Sequence, residues 1–92
     1  MGLQLVELVL ELEERFKVRI SDEECERVTT VAEMAAVVSK QLKLDAQSRD
    51  VQQTLTEQQV LDMVRAIIAV EMRMPIDKVL PESRLVQDLG VN

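Results

Sequence analysis

The groups in this chain that could do chemistry are carboxylates, one thiol and a few hydroxyls. Glu7, Glu11, Glu13 and Glu14 crowd one stretch near the start, Cys25 is the single cysteine, and Ser21, Ser39, Ser48 and Ser83 are the serines. The chain has no histidine to activate any of them. No carboxylates are paired in a pocket-like context, no glycine-rich loop could cradle a phosphate, and no spacing fits a metal site. The sequence is therefore read as not an enzyme, with no catalytic and no metal-binding residue. Cys25 cannot close an internal disulfide, which suits a reducing compartment, and its place on a short helix makes it a small core residue rather than a nucleophile. What carboxylates at this density can do is attract a basic protein.

The element that must position them is Gly2 to Phe16, GLQLVELVLELEERF. Leu5, Leu8, Val9, Leu12 and Phe16 recur at the helical period and form one apolar face. Glu7, Glu11, Glu13 and Glu14 stand off that face, and they border a second apolar strip made by Leu3, Val6 and Leu10. One strip is enough to seat a surface helix on a core. The second is open to two readings, a wide core face beside a solvated acidic one, or a docking helix whose apolar contacts are ringed by carboxylates.

Composition limits the rest. At 92 residues the chain makes one domain, burying roughly 60 to 65% of its unfolded surface. Phe16 is the sole aromatic and there are two glycines and two prolines, so good helix formers with an aliphatic core point to an all-α fold. Seventeen acidic against eleven basic residues give a net charge of -6, which repels a phosphate backbone and excludes nucleic acid as a partner. No apolar run approaches the ~18 residues of a membrane span, and the N-terminus lacks the regions of a signal peptide, so a soluble cytoplasmic protein with no membrane partner is expected.

Along the chain, Val18 and Ile20 of KVRI can turn inward after the first helix. Ser21 with Glu24 then forms an S-x-x-E capping box ahead of a short helix, Asp22 to Arg27. Thr30 with Glu33 repeats the device before a helix to about Leu42 whose Val31, Met34, Ala35, Val38 and Leu42 share a face. Lys43 to Leu55 is mostly polar and reads as a linker that could reach roughly 43 Å if extended. Thr56 with Gln59 opens a third helix, Glu57 to Met72, buried through Val60, Val64, Ile67, Ile68 and Met72 and stopped by Pro75. The remainder reads as a long loop anchored by Ile76, Val79, Leu80, Leu85, Val86 and Leu89, with at most a short helical turn after Pro81.

Read with Thr56 to Asn92 first and Gly2 to Leu42 second, the chain resembles an acyl carrier protein. TEQQVLDMVRAIIA looks like the family's first helix, DKVLPESRLVQDLGVN like its long loop, LQLVELVLELEERFKVRIS like its second helix and exit segment, and DEECERVTTVAEMAAVV like its third and fourth helices. Three signals agree in order: PESRLVQDLG, VELVLELEERF, and ISDEE with TTVAEMA behind it. The resemblance implies an all-α four-helix bundle in circularly permuted order, with one short helix and a long loop. On that reading residues 1–42 are the family's helices two to four, 43–55 the linker joining its original ends, and 56–92 its first helix and long loop.

The cut falls on the family's Asp-Ser-Leu motif, whose serine carries 4'-phosphopantetheine. Asn92 matches the acidic position, Leu3 the leucine, and Gly2 stands where the serine would be. A serine there caps the helix, and its phosphodiester sits at the positive end of the helix dipole; Gly2 keeps a tolerable cap and removes the nucleophile. No cofactor is therefore expected in this form. The second helix starting at a chain end should fray in its first turn, and a free α-amino group there opposes the dipole.

The resemblance further implies a carrier of fatty-acid or polyketide synthesis whose second helix docks on basic patches of synthases, acyltransferases and the phosphopantetheinyl transferase. Leu3, Val6, Glu7, Leu10, Glu13 and Glu14 are the contacts it assigns. Arg15, Lys17 and Arg19 interrupt what is often a more acidic stretch in the family, so partner preference is expected to differ from that of a typical fatty-acid carrier. The re-threaded order permits a monomer or a domain-exchanged dimer. The rival from another class is an acidic helical adaptor that binds basic proteins and carries nothing.

Overall fold

The computed structural model describes residues 3–48 and 55–91, with side chains described through Asp45 and again from Leu55. Within them are four α-helices and a 3-10 turn. They are α1 (Leu3–Phe16), α2 (Asp22–Arg27), α3 (Val31–Ser48), α4 (Glu57–Met72) and the turn Ile76–Lys78. No extended strand is present among the described residues; Thr30 and Arg84 form an isolated antiparallel bridge.

The apolar period of α1 puts Leu5, Leu8, Val9, Leu12 and Phe16 into the core, as its spacing requires. They meet Val31, Met34, Ala35 and Val38 of α3 and Val60, Val64 and Ile68 of α4 in one cluster that also takes Val18, Ile20 and Cys25. Each large aliphatic side chain so buried stabilises the fold by about 1.5–3 kcal/mol before entropy is charged against it. α3 and α4 pack most closely on each other, and α1 lies against both.

Caps fix where the helices start. At α4 the Thr56 hydroxyl accepts from the Gln59 N–H at 3.1 Å and the Gln59 side chain accepts from the Thr56 N–H at 2.9 Å, a complete box. α3 has the same reciprocal pair between Thr30 and Glu33, and Glu33 also accepts from the Thr29 N–H. At α2 only half of the expected box forms. Ser21 accepts from the Glu24 N–H at 3.2 Å, but the Glu24 carboxylate accepts from the Ser21 hydroxyl and from Gln41 of α3 instead of returning to the Ser21 N–H. That carboxylate ties the short helix to its long neighbour.

Three expectations need correction. α3 does not end near Leu42; it continues to Ser48. Lys43 to Ser48 contains no glycine or proline to stop it, and Lys43 Nζ reaches Glu57 Oε1 at the start of α4 at 3.1 Å. The rest of the expected linker, 49–54, lies outside the described residues.

α4 ends at Met72 as expected, but Pro75 is not what stops it. Arg73 turns left-handed at φ 54°, ψ 48°, and the Met74 N–H closes back on the Ala69 carbonyl at 3.0 Å. Pro75 instead opens the 3-10 turn.

The third correction concerns the loop anchors. Val79, Leu85 and Leu89 are buried, whereas Ile76, Leu80 and Val86 are 41%, 42% and 61% exposed. The turns of this segment give it only one inward side. Val91, which carried no periodic signal, is fully buried.

Candidate functional site

The side of α1 that faces away from the core carries the residues assigned to docking. Leu3 is 73% exposed, Leu10 57% and Val6 37%, and Glu7 and Glu14 are exposed beside them. On a helix, positions 3, 7, 10 and 14 share a stripe with 6 next to it, so two carboxylates alternate with two leucines along about three turns. Burying apolar residues on one side forces this strip outward. The structure thus brings five of the six residues together as one open surface.

Glu13 is the exception. It is half-buried, and its Oε2 accepts from the Ile20 N–H at 2.9 Å, which holds the segment after α1 against the helix. Glu11 is likewise occupied, accepting from Arg15 Nε at 2.8 Å and holding the guanidinium further above its ordinary pKa. Glu7 and Glu14 form no hydrogen bond or ion pair with a described residue. They are the exposed carboxylates of α1 without such a contact.

Cys25 is buried beneath this helix, and burial, with Asp22, Glu13, Glu24 and Glu26 nearby, pushes its thiol pKa up. A thiol so placed is neither exposed nor ionised at neutral pH. The cleft beside it, between α1 and the start of α2, has a volume of about 90 Å³ and is lined by Val6, Val9, Leu10, Ile20 and Cys25 among others. It is a shallow, half-open cleft, well below the roughly 300–1,000 Å³ of small-molecule sites.

Two of the serines do other work. Ser83 is buried, accepting from the Leu80 N–H at 3.1 Å and donating to the Lys78 carbonyl. Ser21 caps α2, whose first turn is Asp22, Glu23 and Glu24. An esterified phosphate on Ser21 would face three carboxylates. Gly2 and Asn92, the positions flanking the expected cut, lie outside the described residues.

Sequence reasoning missed what holds the long loop. Arg65, on α4, donates through Nε to the Val79 carbonyl at 2.6 Å and through Nη2 to the Ile76 carbonyl at 3.3 Å. A cation directly after the core residue Val64 was the available signal. At the other side the loop caps α3: the Val31 and Ala32 N–H groups donate to the Ser83 and Pro81 carbonyls at 3.0 and 2.8 Å, and the Leu85 N–H donates to Thr29. Asp88 accepts from the Arg84 N–H at 2.8 Å and from its Nε at 3.3 Å, contacts that lower its pKa. The loop leading towards Asn92 is thus pinned to both α4 and α3.

Over 32 residues, 35% of its length, the chain is 61% identical to an acyl carrier protein of Rubrobacter xylanophilus. This match supports a relationship to the acyl carrier proteins. The aligned stretch is 40% of that acyl carrier protein, so the chain spans less than half the length of the curated relative it matches. The helical architecture agrees with an acyl-carrier-like all-α fold. No protein-family model matches the chain, and no solved structure does. No helix among the described residues is long and apolar enough to cross a membrane.

Proposed function

We propose that this chain is an acyl carrier scaffold of fatty-acid or polyketide synthesis in circularly permuted order, which docks on basic enzyme surfaces through α1 and cannot take up the phosphopantetheine arm in this form. The observation that carries the docking half is the α1 strip: Leu3, Val6 and Leu10 exposed beside Glu7 and Glu14, which form no hydrogen bond or ion pair with a described residue. An apolar strip edged by free carboxylates is complementary to an apolar patch edged by lysine and arginine, and the charges set the encounter rate and orientation. With Glu13 occupied by the Ile20 N–H, its part in docking is to hold the helix end, and Glu7 and Glu14 make the contacts.

The second half rests on residue identity. Gly2 has no side-chain oxygen at the position that the resemblance matches to the family's serine, so the arm has no attachment point there. Ser21 faces a triple-acidic turn, and Ser83 is buried and hydrogen-bonded. Incubation with a phosphopantetheinyl transferase and coenzyme A should leave the mass of the intact protein unchanged. A gain equal to the arm on any serine would refute this.

Docking has its own test. Glu7→Lys with Glu14→Lys should abolish a salt-sensitive complex with a phosphopantetheinyl transferase or a carrier-dependent synthase, while leaving the circular dichroism spectrum intact. An undiminished complex would remove α1 from the interface. The localisation that suits this reading is cytoplasmic, where such enzymes and a free thiol coexist.

A further inference from the structure

Away from the α1 strip, α3 and the start of α4 enclose an open groove of about 590 Å³. Ala32, Ala35 and Ala36 line it on the α3 side and Leu61 on the α4 side, with Lys43 and Glu57 at one end. Its size falls within the roughly 300–1,000 Å³ of small-molecule sites, which are mostly apolar with a few placed polar groups.

The polar group inside is Ser39. Its side chain lines the groove and the residue is 7% exposed, yet its hydroxyl makes no hydrogen bond to a described residue. No fully enclosed side-chain polar atom among the described residues lacks a partner, so this hydroxyl is open to the groove. Residues three and four apart share a helix face, so Ser39 stands in one row with Ala32, Ala35 and Lys43, between the alanine floor and the charged end. A nearly buried hydroxyl whose proton has no acceptor in the protein takes one from whatever occupies the space beside it.

Charge excludes ions from that space. Lys43 Nζ meets Glu57 Oε1 at 3.1 Å across the two helices, so the end of the groove is a neutral pair. Lys40, at the edge, turns to Glu24 on the α2 side, 3.9 Å away. An anion would meet Glu57, a cation would meet Lys43, and both groups already have their countercharge. Of the polar side chains lining the groove, only the Ser39 hydroxyl is uncommitted.

The same pair limits length. From Ala32 to Ser39 the floor follows about 10 Å of helix before Lys43 and Glu57 join across it. Methyl groups set three and four residues apart make that floor flat. A rigid ring can lay a whole face on it, whereas a flexible chain must first be ordered.

From this we infer that the α3–α4 groove is a binding site for an uncharged, compact ring compound that carries one hydrogen-bond acceptor, a cyclic ketone or lactone. The ring lies on Ala32, Ala35 and Ala36 against Leu61, and its carbonyl accepts from the Ser39 hydroxyl. The site does not depend on the proposed carrier role, since it needs neither α1 nor an arm.

The test is a titration of the whole chain with 1-indanone, followed by amide and methyl NMR. Saturable shifts are expected at Ala32, Ala36, Ser39 and Leu61, with Val6, Val9 and Cys25 unmoved. Ser39→Ala, which keeps a good helix former, should weaken 1-indanone about fivefold, as one lost hydrogen bond does, and leave indane, the same ring without the acceptor, unchanged. Ala36→Phe, at an exposed helical position, should fill the groove and abolish saturable binding of both with the helical spectrum kept. Absence of saturable shifts, equal affinity of Ser39→Ala for 1-indanone, binding of 1-aminoindane or indane-1-carboxylate as tight as that of the ketone, or shifts confined to the α1–α2 cleft would each overturn the assignment.

Discussion

α1 and the segment from Ile76 to Val91 are both apolar-rich, and they are held in place by different means. α1 is seated by period alone: five aliphatic or aromatic side chains at helical spacing go inward and the rest follow outward. The loop also buries Val79, Leu85, Leu89 and Val91, but polar bonds from elsewhere fix its path, with Arg65 of α4 holding the Val79 and Ile76 carbonyls and the first turn of α3 using the Pro81 and Ser83 carbonyls as its caps. A periodic element carries its own address. A non-periodic one borrows it from its neighbours, and that is why its exposed and buried sides could not be sorted from hydropathy.

The contrast can be broken at its strongest point first. Leu12 is fully buried, and Leu12→Ala should cost about 2–5 kcal/mol, a large share of the roughly 5–15 kcal/mol that a domain has. Chemical denaturation should show one cooperative transition moved to lower denaturant. If the loss were below about 1 kcal/mol, α1 would not be seated by its apolar period.

Arg65→Ala should cost less, about 1–3 kcal/mol, because it leaves carbonyls without a charged donor while the core stays packed. Its signature is local. Amide exchange should accelerate at Val79 and Leu85 far more than at Leu8 or Leu12. Equal acceleration everywhere would mean that the loop and the core open together.

Smaller and opposite in sign is Lys17→Gly. Lys17 sits at φ 57° after α1, where a Cβ is disfavoured, and the Val18 N–H closes on the Glu13 carbonyl at 3.1 Å. Glycine there should stabilise by about 0.5–1 kcal/mol and raise Tm by a few degrees. A fall in Tm would show that the Lys17 side chain does something the backbone does not reveal.

The smallest effect is in pH. Asp88 is held below its ordinary value of 3.8 by the Arg84 N–H and guanidinium, so the folded state favours its charged form. Its contribution is therefore complete above that value and is lost as pH falls through the lower folded one. The stability difference between the native chain and Asp88→Ala should be constant from neutral pH down to about 5 and shrink below 4. A difference that grows in acid would contradict the contact.

How much of this was legible follows the same division. The α1 face and the Thr30 and Thr56 boxes rest on interactions within a few residues of one another, and the burial of Val18, Ile20 and Cys25 was readable from residue type. The continuation of α3 past Leu42 was hidden because the apolar period fades there, although Lys43 to Ser48 contains no glycine or proline to stop the helix. The exposure of Ile76, Leu80 and Val86 was hidden because apolar type says nothing about which side of a turn faces in. In the candidate site, the open strip of Leu3, Val6, Leu10, Glu7 and Glu14 was readable from spacing. The diversion of Glu13 to the Ile20 N–H was not, since it needs the chain to reverse after Phe16.

The permuted carrier reading is tested most directly by asking whether positions 2 and 92 are neighbours. Gly2→Cys with Asn92→Cys, with Cys25 sealed in the core, should form a disulfide under mild oxidation in the folded protein, within one chain or between two exchanged chains, because a bridge needs Cα atoms about 4.4–6.8 Å apart. Failure to form any bridge, within or between chains, while the helices remain intact would contradict the account.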